Sequence, residues 1–409
     1  MRVLMLSWEY PPHVVGGMGK HVLDLAPALV QRGVQVHVVT PLLRGGADRE
    51  LNQDGVYVHR VFPPPMDAYG FVSYVQQANG MMELAARQIY SEFGDFQIIH
   101  AHDWLAANAG IALKHAWRRP LIATIHATER GRQQGYVGSA HAEQVNSIEW
   151  WLTYEAWRVI ACSHFMAEQI SAYFNTPRDK VDVVPNGIYI APNPFESAAE
   201  RLEFRRRFVE DDQPLVYYVG RLVYEKGLHV LLDAWPQVRA AFPRARLLIA
   251  GTGAYAEALK SRAWSLGLAS DVTFAGFISD EDRDKLYRVS DLAVFPSLYE
   301  PFGIVALEAM AACCPVVVSA AGGLSEVVTL HETGLTVHPN DAGSLAWGIL
   351  HALQHPDWSR ARAENAYRVA SQQFNWGTIA EATLGVYSRA YAEWRTDDWG
   401  KESVISQQR

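Results

Sequence analysis

The segment Leu292-Ala-Val-Phe-Pro-Ser-Leu-Tyr-Glu-Pro-Phe-Gly-Ile-Val-Ala-Leu-Glu-Ala309 decides the fold class, because a short turn joins a buried strand to a helix. Its first four residues are apolar, and a helical pattern begins at Gly303, after a turn that contains Pro301. An apolar strand without alternating polar positions is typical of a parallel sheet covered on both faces. The segment therefore predicts an α/β domain with a doubly wound parallel sheet.

The same alternation of apolar runs and amphipathic segments extends along the chain and predicts helices between parallel strands. Further strands are predicted at residues 3–6, 34–40, 98–101, 121–125, 159–163, 215–220, 245–251, 272–276 and 316–319. Helices are predicted, among others, at residues 20–32, 104–117, 146–158 and 376–394.

The strand pattern restarts after Pro185-Asn-Gly187 and a proline-rich stretch, which indicates a domain boundary near residue 190. With 409 residues, the chain has room for two domains of ordinary size. We expect an N-terminal domain of residues 1–190 and a second domain of residues 191–375. The expected tail helix, residues 376–409, belongs with the first domain, and the two sheets are expected to face each other across a cleft.

Composition excludes several classes of protein. The net charge of −8 argues against a nucleic-acid-binding face. Three cysteines without ligand spacing predict neither a zinc site nor a disulfide framework. No apolar run reaches the roughly 18 residues of a membrane span, and the N-terminal run is too short for a signal peptide. We therefore expect a cytoplasmic protein without nucleic-acid or membrane contacts.

Two glycine turns follow predicted strands. Gly16 and Gly17 open the first helix, where bare backbone N–H groups and the helix N-terminus favour a phosphate. Gly253 lies in a second turn that is suited to contact a nucleotide base. The spacing around Gly16 is not that of a dinucleotide fingerprint, and no acidic residue ends the strand after Gly253, so NAD binding is not expected.

Polar side chains follow two strands of the N-terminal half. Asp103 and Trp104 end one strand, and His126 ends the next, so they are expected at the same sheet edge, where they can bind sugar hydroxyls. The sequence leaves open whether Arg130 and Arg132 bind an acceptor phosphate or are solvated loop residues.

The second half contains charged groups at two strand ends. Arg221 and Lys226 follow one strand, and their cations suit a diphosphate that gains negative charge as it leaves. Glu300 follows another strand, and Glu308 lies in the helix after it, where helical geometry directs its side chain back toward the turn.

Taken together, Gly16-Gly17, His126, Arg221 with Lys226-Gly227, and the stretch from Glu300 to Glu308 resemble the GT-B glycosyltransferases of family 4, to which glycogen and starch synthases are related. The resemblance covers nearly the whole chain and implies two Rossmann-like domains. It also implies a retaining enzyme whose leaving phosphate takes the acceptor's proton.

The resemblance implies a role for each matching position. His126, Arg221, Lys226 and Glu300 would be catalytic, with His126 against the transferring sugar, the two cations on the diphosphate and Glu300 on sugar hydroxyls. Asp103, Trp104 and Arg130 are expected to bind the acceptor. Donor binding is assigned to Gly16, Gly17, Gly253, Phe302, Gly303, Ile304 and Glu308, the last of these on the ribose.

The stretches around Asp103 and His126 look like those of α-glucan synthases, which favours transfer of glucose to an α-glucan or small glucoside. The donor expected is UDP- or ADP-glucose, and Val14-Val15 stands where bacterial glycogen synthases carry a lysine. Two alternatives are a nucleotide-sugar epimerase on the same scaffold and a transferase to a lipid-linked acceptor at a membrane surface.

No cofactor and no metal site are predicted. Asp280, Asp282 and Asp284 follow Ser279 and indicate an acidic, capped helix N-terminus rather than a metal motif.

Overall fold

The computed structural model of the chain describes residues 1–66 and 70–400 and contains two compact units. Unit 1 comprises Met1–Gly187 and the segment that starts at Trp376, and unit 2 comprises Ile188–Asn375. The chain thus changes unit at residues 187 and 188, where the sequence analysis expects a boundary near residue 190.

Unit 1 is built on an eight-stranded sheet in the order β3-β4-β2-β1-β5-β6-β7-β8. All its pairings are parallel except that of β3 with β4. The strands are β1 Arg2–Leu6, β2 Gln35–Pro41, β3 Arg49–Leu51, β4 Tyr57–Val61, β5 Ile98–His102, β6 Leu121–Ile125, β7 Arg158–Ala161 and β8 Val181–Val183.

Seven α-helices accompany this sheet. They are α1 Gly17–Val30, α2 Phe71–Phe93, α3 Ala107–Trp117, α4 Glu129–Arg132, α5 Ala140–Glu155, α6 His164–Phe174 and α15 Trp376–Thr396. The last helix is part of the core, because Tyr387 and Ala390 cluster with Val22 and Leu25 of α1. The Tyr387 hydroxyl also lies 2.6 Å from Nδ1 of His100, which ties α15 to β5.

Unit 2 is built on a six-stranded parallel sheet in the order β11-β10-β9-β12-β13-β14. This is the strand order of a Rossmann sheet. Successive strands are added on one side of β9 up to β11 and on its other side from β12 onward, so the order reverses between β9 and β12. The strands are β9 Leu215–Val219, β10 Arg246–Ala250, β11 Val272–Gly276, β12 Leu292–Phe295, β13 Val316–Ser319 and β14 Leu335–Val337. The helices are α7 Ala198–Arg205, α8 Leu228–Ala241, α9 Ala256–Ser265, α10 Asp280–Val289, α11 Ile304–Ala311, α12 Leu324–Val327, α13 Ala342–Gln354 and α14 Pro356–Gln373.

The doubly wound α/β class and every strand named from the sequence are confirmed within two residues at each end. The helix predicted at residues 146–158 begins further toward the N-terminus, because α5 spans Ala140–Glu155. Its start is set by Ser139, whose hydroxyl caps the helix by accepting a hydrogen bond from the backbone N–H of Ala142. The tail helix extends from Trp376 to Thr396, and residues 401–409 of its predicted extension lie outside the described part of the chain. Ser279 caps α10 as predicted.

Among the residues described, no helix is both long enough and apolar enough to cross a membrane.

Candidate functional site

The predicted donor residues of unit 2 lie at the point where its strand order reverses. Strands β9 and β12 are neighbours there, and each is followed by a loop that carries predicted site residues. Ligands of open α/β sheets bind outside the carboxyl ends of the strands at such a point. The fold therefore places the loops after Val219 and after Phe295 where a ligand is expected.

An ion pair joins these two loops. Nζ of Lys226 lies 2.7 Å from Oε2 of Glu300, and the two side chains are only 17% and 10% exposed. The hydroxyl of Ser297 donates to the same carboxylate oxygen at 3.2 Å. The sequence predicts Lys226 and Glu300 as separate contacts for diphosphate and sugar, and the structure brings them into direct contact.

Arg221 occupies a different position from Lys226. Its guanidinium is 56% exposed and lies 3.9 Å from the carboxylate of Glu225, which is a loose contact. An exposed arginine with a loose internal partner can reorient toward an anion at small cost. Arg221 is therefore available to a ligand at the end of β9.

The carboxylate of Glu308 forms an ion pair with Arg283. Its carboxylate is buried on α11, and Oε2 lies 3.3 Å from Nε of Arg283 on α10. Arg283 also contacts Asp280, which is 82% exposed. The sequence did not single out Arg283, because nothing in the segment 279–289 distinguishes this arginine from the others of a capped surface helix.

Close backbone approach explains two of the glycines. Gly227 has φ +68°, and a Cβ atom there would lie 1.9 Å from the main-chain oxygen of Pro296. At Gly253 a Cβ atom would lie 2.2 Å from the main-chain oxygen of Leu222. These glycines let the loops after β9, β10 and β12 pack together.

The segment 302–304 leads from the loop after β12 into α11. Phe302 is buried, and its ring packs at 5.9 Å from that of Phe374. Gly303 caps α11, which begins at Ile304. A donor contact predicted here therefore involves the N-terminus of α11.

In unit 1, Gly16 and Gly17 open α1 as predicted. The backbone N–H groups of Val15 and Gly16 donate to the carboxylate of Glu9, at 2.8 and 3.0 Å. Glu9 therefore already uses the N–H group of Gly16, and the phosphate contact assigned to Gly16 and Gly17 stays a prediction.

Asp103 holds the loop that carries His126. It has φ 58°, is buried, and accepts a hydrogen bond from the backbone N–H of His126 at 2.7 Å. Burial raises the pKa of Asp103 to about 6, although the charge of Arg132 opposes the shift. This carboxylate is used to fix the loop after β6, and it was predicted as an acceptor contact.

His126 is half-buried and belongs to a cluster with the buried imidazoles of His21 and His102. Its Nε2 lies 3.1 Å from Nδ1 of His102, and its ring centroid lies 4.8 Å from that of His21. Burial lowers the pKa of His126 to about 3, and Arg132 lowers it further. His126 is therefore a neutral imidazole near pH 7 and can exchange hydrogen bonds with a sugar without carrying charge.

The remaining acceptor residues differ in exposure. Trp104 is buried and packs edge-on against Phe71 at 6.0 Å, so little of its ring is free to contact a ligand. Arg130 lies 4.8 Å above the ring of Tyr173 and donates to the Gly135 carbonyl.

Sequence reasoning missed Glu149. This buried residue of α5 accepts hydrogen bonds from the backbone N–H of Glu129 with both carboxylate oxygens, at 2.9 and 3.1 Å. Burial raises the pKa of Glu149 to about 8 against the effect of Arg132. Glu149 lies among Trp150, Trp151 and other apolar residues of α5, and the sequence offers no signal for it.

Two family models match the chain. The model described as "Glycosyltransferase Family 4" matches residues 15–191, and that described as "Glycosyl transferases group 1" matches residues 200–369. The first match covers most of the N-terminal part of unit 1 and reaches a few residues into unit 2, and the second lies within unit 2.

Relatives align over nearly the full length. An uncharacterized glycosyltransferase of Methanocaldococcus jannaschii is 38% identical, over 95% of this chain and 98% of the relative. A glycogen synthase of Mycobacterium tuberculosis is 36% identical, over 95% of both chains. A D-inositol 3-phosphate glycosyltransferase of Mycolicibacterium smegmatis is 32% identical, over 93% of this chain and 88% of the relative.

Solved structures share the fold. A sucrose-phosphate synthase of Thermosynechococcus elongatus superimposes with a TM-score of 0.82 at 26% identity, covering 96% of this chain and 99% of that structure. An Anabaena protein, HepE, solved with UDP-glucose, gives a TM-score of 0.77 at 24% identity over 95% and 100% of the chains. The GT-B fold implied by the sequence is thereby confirmed. The chain belongs to glycosyltransferase family 4, whose members are retaining enzymes that use nucleotide-sugar donors.

Proposed function

We propose that the chain transfers a hexose, most favourably glucose, from UDP- or ADP-glucose to an α-glucan or a small glucoside, with retention of configuration and without a metal ion. The observation that carries this proposal is the contact of Lys226 with Glu300 at the reversal point of the unit 2 sheet. A cation for phosphate and a carboxylate for sugar hydroxyls lie side by side, as a nucleotide-sugar requires.

In this proposal the diphosphate is bound by Lys226 and Arg221. Both cations stabilise the negative charge that grows on the phosphate oxygens as the bond to the sugar breaks. The bond from the acceptor oxygen to the anomeric carbon forms on the same face, and the acceptor's proton passes to the leaving phosphate oxygen. The phosphate thus acts as the base, which fits the low basicity of His126, whose pKa burial lowers to about 3.

The donor sugar and ribose are assigned to carboxylates. Glu300 accepts hydrogen bonds from sugar hydroxyls, and Lys226 holds its carboxylate in place. Glu308 accepts hydrogen bonds from the ribose, with its own position set by Arg283. Unit 2 is therefore proposed as the donor-binding domain and unit 1 as the acceptor-binding domain.

Glucose and a glucan acceptor are supported by the relative named as a glycogen synthase, which matches over 95% of both chains. The HepE structure with UDP-glucose supports a uridine nucleotide as one candidate donor.

A phosphorylated acceptor is the second candidate. Arg132 is 32% exposed, contacts Glu129 at 3.5 Å and acts on the pKa values of Asp103, His126 and Glu149, so a positive charge lies beside the predicted acceptor residues. A guanidinium in that position suits a phosphate on a small polyol or sugar. The relative named as a D-inositol 3-phosphate glycosyltransferase agrees with this class.

A transfer assay separates the two candidates. The enzyme is incubated in EDTA with labelled UDP- or ADP-glucose and either glycogen, maltooligosaccharides, glucose phosphates or inositol phosphate. We expect label in a glucan or oligosaccharide with wild type and none with Lys226→Met. Transfer only to the phosphorylated compounds, reduced in Arg132→Gln, would establish the second candidate. Transfer to neither class would contradict both.

A further inference from the structure

Three histidines from separate segments of unit 1 meet at one point. His21 lies in α1, His102 ends β5, and His126 follows β6. One ring nitrogen of each lies within 4.8 Å of those of the other two. The closest pair, Nδ1 of His102 and Nε2 of His126, is 3.1 Å apart. Ligand nitrogens of a tetrahedral zinc ion lie about 3.3 Å apart, as follows from Zn–N distances of about 2.0–2.1 Å.

The orientation of His21 is fixed by a neighbouring amide. Its Nδ1 lies 2.7 Å from Oδ1 of the buried Asn186. Because an amide oxygen only accepts hydrogen bonds, Nδ1 carries the proton and Nε2 is left with a lone pair. A histidine held through its second nitrogen by an oxygen acceptor is the usual arrangement of a metal ligand.

One nitrogen that faces the cluster lacks a hydrogen-bond partner. Nε2 of His21 is buried without one among the described residues. Buried polar atoms without partners are uncommon, and a water, an ion or a ligand usually satisfies them. Nδ1 of His102 and Nε2 of His126 are paired with each other at 3.1 Å, and an ion bound between them would replace this contact. By contrast, His100 in the same strand as His102 uses both nitrogens, bonding to Tyr387 and Thr124 at 2.6 and 2.7 Å.

Charges of both signs lie near this point. Asp103 directly follows His102 and accepts a hydrogen bond from the backbone N–H of His126 at 2.7 Å. Arg132 acts electrostatically on both Asp103 and His126, and its guanidinium contacts Glu129 at 3.5 Å. A cation bound here would therefore have a carboxylate as well as a guanidinium in its surroundings.

We propose that His21, His102 and His126 bind one divalent transition-metal ion of the Zn²⁺ or Co²⁺ type, and that the bound ion inhibits the enzyme. The inhibitory part rests on the proposed function, which places His126 against the transferring sugar. Coordination removes the His126 nitrogen from hydrogen bonding and fixes its ring, so the sugar loses this contact. The ion has no role in the transfer itself.

Binding is tested on the full chain after treatment with EDTA and its removal. Co²⁺ is added in the absence of donor and acceptor, and its absorption spectrum, stoichiometry and displacement by Zn²⁺ are measured. We expect one Co²⁺ per chain with the intense visible bands of tetrahedral coordination. His21→Gln and His102→Gln should each abolish these bands. Asn186→Ala should weaken binding by about 10–100-fold, as loss of an outer hydrogen bond to a ligand does.

The matched control is His37→Gln. His37 is a buried histidine of β2 that pairs with His59 at 3.1 Å, without a third imidazole. This variant should bind Co²⁺ as wild type does. Wild type without tetrahedral Co²⁺, or His21→Gln and Asn186→Ala with unchanged binding, would overturn the proposed site. Because Asn186→Ala leaves all three imidazoles in place, it keeps the test decisive if a histidine variant does not fold.

Inhibition is measured separately, as transfer rate against free Zn²⁺. The rate should fall in step with occupancy of the site and recover on adding EDTA. Full occupancy with an unchanged rate would overturn the inhibitory part. An enzyme that binds Co²⁺ as described but transfers no sugar under any condition would count against the proposed function and leave the metal site standing.

Discussion

From the contact between Lys226 and Glu300 we predict that replacing Lys226 affects stability and catalysis differently. Lys226→Met removes the cation but keeps an unbranched side chain of similar length. Glu300 then keeps its contact with the Ser297 hydroxyl, in a position where only 10% of its side chain is exposed. A carboxylate that loses its counter-ion in such a place is destabilising.

The size of the effect follows from burial. Breaking a fully buried ion pair costs about 3–5 kcal/mol. Both side chains here keep some access to water, so we expect about 2 kcal/mol. For a unit of this size that corresponds to a fall in Tm of about 4–8 °C. Changing Glu300→Gln in the same chain removes the unpaired charge and should restore most of the loss.

Activity should not follow stability. Lys226→Met is expected to lower kcat by about 10²-fold or more, because it removes a charge that stabilises the leaving diphosphate. The double variant regains its Tm but stays inactive, since neither the phosphate contact nor the sugar contact returns. Thermal unfolding and kcat for donor hydrolysis are measured on the same preparations. Recovery of activity together with stability would show that Lys226 serves only the fold and would refute the reasoning.

Three further predictions concern glycine geometry, donor affinity and pH. Gly227→Ala should abolish activity and cooperative unfolding of unit 2, because its Cβ would meet a main-chain oxygen at 1.9 Å. Gly267 has a similar φ of +65° but open space around it, so Gly267→Ala should lower the free energy of urea unfolding by only about 1–2 kcal/mol. Glu308→Ala should weaken binding of the nucleoside diphosphate, measured by calorimetry, about 10-fold or more, since charge-assisted hydrogen bonds contribute about 1.5–3 kcal/mol. Asp280→Ala removes the exposed partner of Arg283, which also contacts Glu308, and should leave this affinity unchanged. The protonated form of Glu149 adds stability that is complete below its ordinary pKa of 4.5 and is lost as the pH rises through about 8. Urea unfolding should therefore show that wild type loses more stability than Glu149→Gln between about pH 5 and about pH 9. An equal loss in both proteins would contradict the buried carboxyl.

The fold was predictable from the sequence because its central strands are buried on both faces. Runs such as Leu121–Ile125 contain almost only apolar residues, and they alternate with helical segments in a regular way. Four strands were missed, and all lie at or next to an edge of their sheet. Arg49–Leu51, Val181–Val183 and Leu335–Val337 span three residues each, too few for a pattern to show. Tyr57–Val61 has five residues, but the polar side chains of His59 and Arg60 interrupt its apolar run.

The candidate site was predictable where it depends on strand ends. Lys226, Glu300 and His126 follow buried strands, and parallel strands end at one edge of their sheet. The partners of these residues were not predictable, since tertiary contacts between distant segments decide them. Arg283 and Glu149 look like ordinary helix residues in the sequence, and only the structure shows that they hold Glu308 and the backbone of Glu129.

The histidine cluster shows the same limit. His21, His102 and His126 have no spacing that resembles a metal motif, because each comes from a different strand or helix of unit 1. A sequence pattern records neighbours along the chain, whereas this cluster depends on how α1, β5 and β6 pack.

The central claim, a nucleotide-sugar transferase that needs no metal, is tested most directly by the donor itself. Thermal unfolding and hydrolysis are measured with UDP-, ADP- and GDP-sugars in the presence of EDTA, for wild type and Lys226→Met. The account predicts that one glucose nucleotide raises the Tm of wild type and is slowly hydrolysed, and that the variant loses the hydrolysis. Neither stabilisation nor hydrolysis with any donor, or hydrolysis only after a metal is restored, would contradict it.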